Sequence, residues 1–147
     1  MLNSVKQDSR TQTVIERWLA ERSELLVLYC RLTGKRKSQI LPDISQINQF
    51  CDILIDYVSA GHFEVYEQVV SLCDKTGDES LQLLKDLFPK ISETTDIVVD
   101  FNDKYSDDKA NDALMSELDS DLSTLGEAIA ARVEMEDQLI DTLSVHH

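Results

Sequence analysis

Four stretches of this chain repeat apolar residues every three or four positions, the spacing of a helix with one buried face. The first runs from about Thr11 to Leu32, with Ile15, Trp18, Arg22, Leu25, Tyr29 and Leu32 on one stripe and Val14 beside them. Arg22 fits that stripe by laying its methylenes on it and keeping its charge in water. A basic connector, TGKRKSQILPD, follows. In it Gly34 is the expected C-cap, Pro42 closes the connector, and Asp43 or Ser45 caps the next helix. From Ile47 the apolar positions are Phe50, Leu54, Tyr57, Val58, Gly61 or His62, Val65, Val69 and Leu72. Their phase passes through Ser59–Ala60–Gly61, which predicts one long helix kinked there or two helices nearly aligned. KTGDES around Gly77 ends this segment.

The third segment, Ser80 to Phe101, carries Leu84, Leu87, Phe88, Ile91, Val98 and Phe101, with a kink or break expected at the turn before Pro89. NDKYSDDKAND reads as an acidic connector. The last segment is the most regular: Leu114, Leu118, Leu122, Leu125, Ile129, Val133, Leu139 or Ile140, and Leu143, with the residues beyond expected to fray. Glycine and proline are scarce, at four and two residues. The expected fold is all-α: an antiparallel bundle with a four-helix core and long second and C-terminal helices, one domain over residues 1–147.

Charge changes the picture. Residues 1–41 hold eight Lys/Arg against four Asp/Glu, and residues 42–147 hold six against twenty-four. Direct nucleic-acid binding needs a basic surface and is not expected. An acidic body suits a basic protein partner, although acidity also serves plain solubility. Cys30, Cys51 and Cys73 are odd in number and widely spaced, so each is expected as a small residue at the edge of a core face rather than in a disulfide. No apolar run reaches the length of about 18 residues that a membrane span requires. MLNSVKQDSRTQ lacks the apolar core of a signal peptide, and the expected location is the cytoplasm.

The stretch DYVSAGHFEVYEQ, Asp56 to Gln68, poses the functional question. His62, Glu64 and Glu67 invite a metal reading, but such centres in bundles need several converging imidazoles or paired Glu-x-x-His motifs. The other two histidines, His146 and His147, end the chain, and of Glu134, Glu136 and Asp137 only Glu136 falls near an inward face. Glycine-rich phosphate loops, G-x-S-x-G and H-E-x-x-H are absent, so neither an enzyme nor a cofactor or metal is expected. With Leu54 at the centre of the buried face and about 100° per residue, Phe63 lands almost opposite, among Asp52, Asp56, Ser59, Glu67 and Val70. Three explanations stand: a kink turns Phe63 inward, another element covers it, or it is an anchor awaiting a basic, amphipathic partner helix.

The same stretch resembles the central signature of the regulator of sigma D family, which includes related alginate and virulence regulators. IERWLAERSELLVLY resembles that family's first-helix segment and LGEAIAARVEMEDQLI its C-terminal one, and the similarity spans about residues 13–143. Gly34–Ser45 and the loops near Gly77 and Asp107 match least. The resemblance implies a helical anti-sigma factor that binds region 4 of the primary, sigma-70-type sigma factor. It would hold region 4 away from core RNA polymerase and −35 promoter DNA, favouring alternative sigma factors. It implies sigma contacts at Asp56, Ser59 and Phe63, with Glu67 beside them and first-helix contacts at Trp18 and Arg22. A monomer or weak homodimer is expected when the protein is free. The competing expectation is an acidic helical adaptor for another cytoplasmic partner.

Overall fold

Four helices carry the apolar stripes: α1 (Leu2–Lys37), α2 (Ile44–Ala60), α3 (Asp78–Tyr105) and α4 (Leu118–His146). The computed structural model describes the backbone of residues 2–37, 43–61, 66, 78–106, 114 and 116–146, and the side chains of 12–34, 43–61, 66, 82–106, 114 and 116–141. Trp18 stacks on Tyr57 while Tyr29 meets Phe50, so α1 and α2 run antiparallel. Phe50 on Phe101 with Tyr66 on Phe88 gives the same sense to α2 and α3. Lys104 to Asp121 with Arg132 to Thr94 repeats it for α3 and α4. Arg22 to Asp137 with Tyr29 to the Leu122 carbonyl closes the ring from α4 back to α1. The result is the expected all-α antiparallel bundle, with α2 and α4 facing each other across its diagonal.

The stripes meet where their spacing says they should. Leu25, Ile47, Phe50, Leu54, Val98, Leu118 and Leu125 are wholly buried, each such side chain contributing roughly 1.5–3 kcal/mol against exposure. An aromatic cluster of Tyr29, Phe50, Phe101 and Tyr105 fills one end. Trp18, Tyr57, Tyr66 and Phe88 fill the other. At the start of α2, Asp43 is the N-cap, and its backbone N–H donates to Gln46 Oε1 at 3.0 Å.

Several expectations need correction. α1 begins earlier and ends later than Thr11–Leu32, and Gly34 lies inside it instead of capping it. α3 runs unbroken through Pro89 to Tyr105, absorbing the first part of the acidic connector. Pro89 is exposed and so is Lys85, whose carbonyl loses its helical donor, so that group faces water rather than the core. Cys30 is exposed on α1, unlike buried Cys51, while Cys73 lies outside the described residues.

The kink expected at Ser59–Gly61 coincides with the end of α2, and the continuation through Val65, Val69 and Leu72 lies outside the described residues. α2 ends at Ala60, and Gly61 sits in a wider, π-helical turn. A straight continuation would place Tyr66 about 120° away from the Leu54 direction. Tyr66 is instead 7 % exposed, inside the bundle.

Candidate functional site

The outer face of α2 is acidic for a simple reason: Ile44–Ala60 contains no lysine or arginine. Asp52 and Asp56, one turn apart, are exposed, and among the described residues neither forms an ion pair. Ser59 is half-buried one turn further on. α4 matches this across the diagonal, since its only Lys or Arg is Arg132, which is buried, while Asp119, Glu127, Glu134, Asp137 and Asp141 are exposed. Phe63, Glu67 and His62 lie outside the described residues.

Behind that face lies a polar layer. Glu136 is 1 % exposed and Arg132, one turn before it on α4, is 2 % exposed. The Tyr57 hydroxyl donates to Glu136 Oε1. The Tyr66 hydroxyl donates to Oε2 at 2.7 Å, and Arg132 Nε–H donates to the same oxygen at 3.2 Å. Arg132 Nη1 reaches Thr95 Oγ1 at 2.8 Å and Thr94 Oγ1 at 3.1 Å, and Nη2 donates to the Tyr66 oxygen at 3.1 Å. Both charges of the Arg132–Glu136 pair are met by hydrogen bonds, the condition under which a buried ion pair is tolerated.

Trp18 and Arg22 bring α1 into this layer. The indole of Trp18 lies parallel to the Tyr57 ring at 5.2 Å between centroids, and its Nε1–H donates to the Tyr57 carbonyl at 3.2 Å. It also presses on Gly61, where a Cβ would come within 3.2 Å of the indole, so only glycine fits that approach without displacement. Trp18 is 2 % exposed, and in this fold it offers little surface to a partner. The charge of Arg22 does not stand free in water: Nη2 pairs with Asp137 at 2.9 Å, and buried Nη1 has no hydrogen bond among the described residues.

Burial dominates the acid–base behaviour. Desolvation raises the Glu136 carboxyl above its ordinary range, opposed by Arg132 and the two tyrosine donors. Burial and then the neighbouring Glu136 charge push both Tyr57 and Tyr66 far above the usual phenol range, so they act as permanent donors. A carboxylate sealed in this way has no path to a substrate, and both its oxygens are engaged by protein donors. Among the described residues no group of three or more His, Cys, Asp or Glu is placed to hold a metal ion, and no helix is long and apolar enough to cross a membrane.

The sequence placed Glu136 inward but missed Arg132 and Thr94. The signal was present in the spacing. Leu118, Leu122, Leu125, Ile129, Arg132, Glu136 and Leu139 alternate steps of four and three, and all are buried. Choosing apolar Val133, which is only half-buried, hid the charged pair.

Residues 1–144 match the family described as regulator of RNA polymerase sigma(70) subunit, Rsd/AlgQ. The chain is 34 % identical over 149 aligned residues to a "Regulator of sigma D" from Yersinia enterocolitica, covering 95 % of this chain and 88 % of that protein. It is 32 % identical to a protein of the same description from Escherichia coli, covering 95 % of this chain and 92 % of the relative. No solved structure gives a significant match. With a family match over nearly its whole length and relatives at this identity, the chain belongs to the Rsd/AlgQ family of regulators of the sigma-70 subunit of RNA polymerase.

Proposed function

We propose that this protein binds region 4 of the primary, sigma-70-type sigma factor, withholds it from core RNA polymerase and −35 promoter DNA, and so favours alternative sigma factors. The observation that carries this reading is the cation-free face of α2, with Asp52 and Asp56 exposed, in a chain of a sigma-regulating family. A basic DNA-binding module is the electrostatic complement of such a face. The protein acts as a binding partner rather than an enzyme, in the cytoplasm with the polymerase, and as a monomer or weak homodimer when free.

Asp56 meets an arginine or lysine of region 4, Ser59 gives close approach and a hydrogen bond, Phe63 fills an apolar pocket, and Glu67 adds charge. Trp18 and Arg22 serve the interface from behind, by holding α2 through Tyr57 and by fixing α4 through Asp137.

Titration of purified region 4 into the wild-type protein, Phe63→Ala and Asp56→Lys tests this. Phe63→Ala weakens binding by about 2 kcal/mol with little change in thermal stability, and Asp56→Lys weakens it most at low salt. Wild type that fails to bind region 4, or that captures cytoplasmic proteins without the primary sigma factor, leaves the adaptor alternative in its place.

A further inference from the structure

Four residues, Trp18, Tyr57, Tyr66 and Glu136, hold the end of α2, and none of them faces solvent. Tyr57 lies between Asp56 and Ser59, and its ring is stacked on Trp18 while its hydroxyl is bound to Glu136 on the opposite helix. Its carbonyl, which accepts the Gly61 N–H within the helix, also accepts the Trp18 indole N–H. Five residues past Gly61 the chain is fastened again, by the Tyr66 hydroxyl to the second oxygen of the same carboxylate. The Tyr66 ring lies between Phe88 at 5.7 Å and the edge of Trp18 at 6.3 Å, with Arg132 at 6.0 Å. One carboxylate on α4 therefore fixes the chain on both sides of the π-helical turn.

We propose that Glu136, acting through Tyr57 and Tyr66 with Trp18 as the backing surface, is a positioning residue for the sigma-contact face of α2, so that affinity for region 4 depends on a buried carboxylate the partner never touches. This rests on the region 4 reading above. The physical link is preorganisation. A face whose last turn is fixed before binding loses no affinity to ordering, whereas a face that is correct only part of the time binds in proportion to that fraction. The layer ties Tyr57 to α1 and α4 together, so loosening it frees the turn bearing Asp56 and Ser59 without altering either side chain.

Tyr57→Phe is the informative variant, because it keeps the ring on Trp18 and removes only the hydroxyl. Tyr105→Phe is its control: Tyr105 makes a comparable bond, donating to Asp121 at 2.6 Å, but at the α3–α4 junction, away from the end of α2. Region 4 affinity, melting temperature and amide hydrogen exchange at Tyr57–Gly61 are measured on both variants and on wild type. If the competent fraction falls to a tenth, Tyr57→Phe binds about tenfold more weakly, with faster exchange confined to that turn. Tyr105→Phe melts lower but binds as wild type does. Equal affinities for Tyr57→Phe and wild type, or losses that follow melting temperature alike in both variants, overturn the proposal. Should wild type fail to bind region 4, the sigma reading falls, and the exchange at Tyr57–Gly61 still decides whether the carboxylate holds that turn.

Discussion

Two clusters in this bundle use the same chemistry in different surroundings. Near the middle of α4, a carboxylate, an arginine and two tyrosines are sealed from water as Glu136, Arg132, Tyr57 and Tyr66. At the start of α4, Asp121 takes Tyr105 at 2.6 Å and Lys104 at 2.7 Å, while Lys104 also reaches Glu117 at 2.9 Å. The charges of this second group reach water, with side-chain exposures of 33 % for Lys104 and 32 % for Asp121, although the Tyr105 ring beside them is buried. It fastens the α3–α4 junction, and Tyr105 also donates to the Leu114 carbonyl at 3.3 Å. The difference is what happens when one member is removed. Water can replace a lost partner at the junction, but nothing replaces it inside.

The largest expected effect follows from that contrast. Glu136→Ala removes the acceptor shared by Tyr57, Tyr66 and Arg132, strands all three, and destabilises the protein by about 3–5 kcal/mol in denaturant unfolding. A loss below about 1 kcal/mol would mean that water reaches the layer and the two clusters are alike. Tyr105→Phe is milder, at about 1–2 kcal/mol, since Lys104 still holds Asp121.

Acid separates the clusters by sign. Burial holds the Glu136 carboxyl above its ordinary value of 4.5, so its contribution to stability is complete below that value and lost as pH rises through the higher folded one. Asp121 is opposite. Although burial acts to raise it, hydrogen bonds from Lys104 and Tyr105 leave it below its ordinary 3.8, so its contribution is present above that value and lost as pH falls through the folded one. Unfolding measured across acidic pH should therefore lose its rise on mild acidification in Glu136→Gln, and its fall at lower pH should flatten in Asp121→Asn. The smallest effect lies outside both clusters. Gly34→Ala, on an exposed turn of α1 where a Cβ meets nothing within 4 Å, raises stability by about 0.5–1 kcal/mol. Destabilisation there would show that the helix does not continue through that turn.

Much of the bundle was legible because a helix stripe is a strong periodic signal. Leu118, Leu122, Leu125 and Leu139 of α4 and the Phe50–Leu54–Tyr57 face point inward as their spacing demands. The polar layer was harder to read, since an arginine or threonine on a stripe looks like an interruption until the other helices supply its partners. Arg22, Thr94, Arg132 and Glu136 each occupy stripe positions, and only their meeting in space explains them. At Gly61 the sequence did point to a change, since a kink was expected at Ser59–Ala60–Gly61, and α2 ends there with the indole of Trp18, some forty residues earlier, packed against the glycine. The acidic face was readable from composition alone, because α2 has no cation to lose.

The buried layer has one more consequence, for how the helices line up lengthwise. Bundles filled only with leucine can slide by one turn, about 5.4 Å, because each apolar tier resembles the next. Here such a slide of α4 would carry the carboxylate away from both phenols and leave a guanidinium facing hydrocarbon. The layer therefore works as an alignment mark, excluding the shifted stacks that the leucines alone would accept.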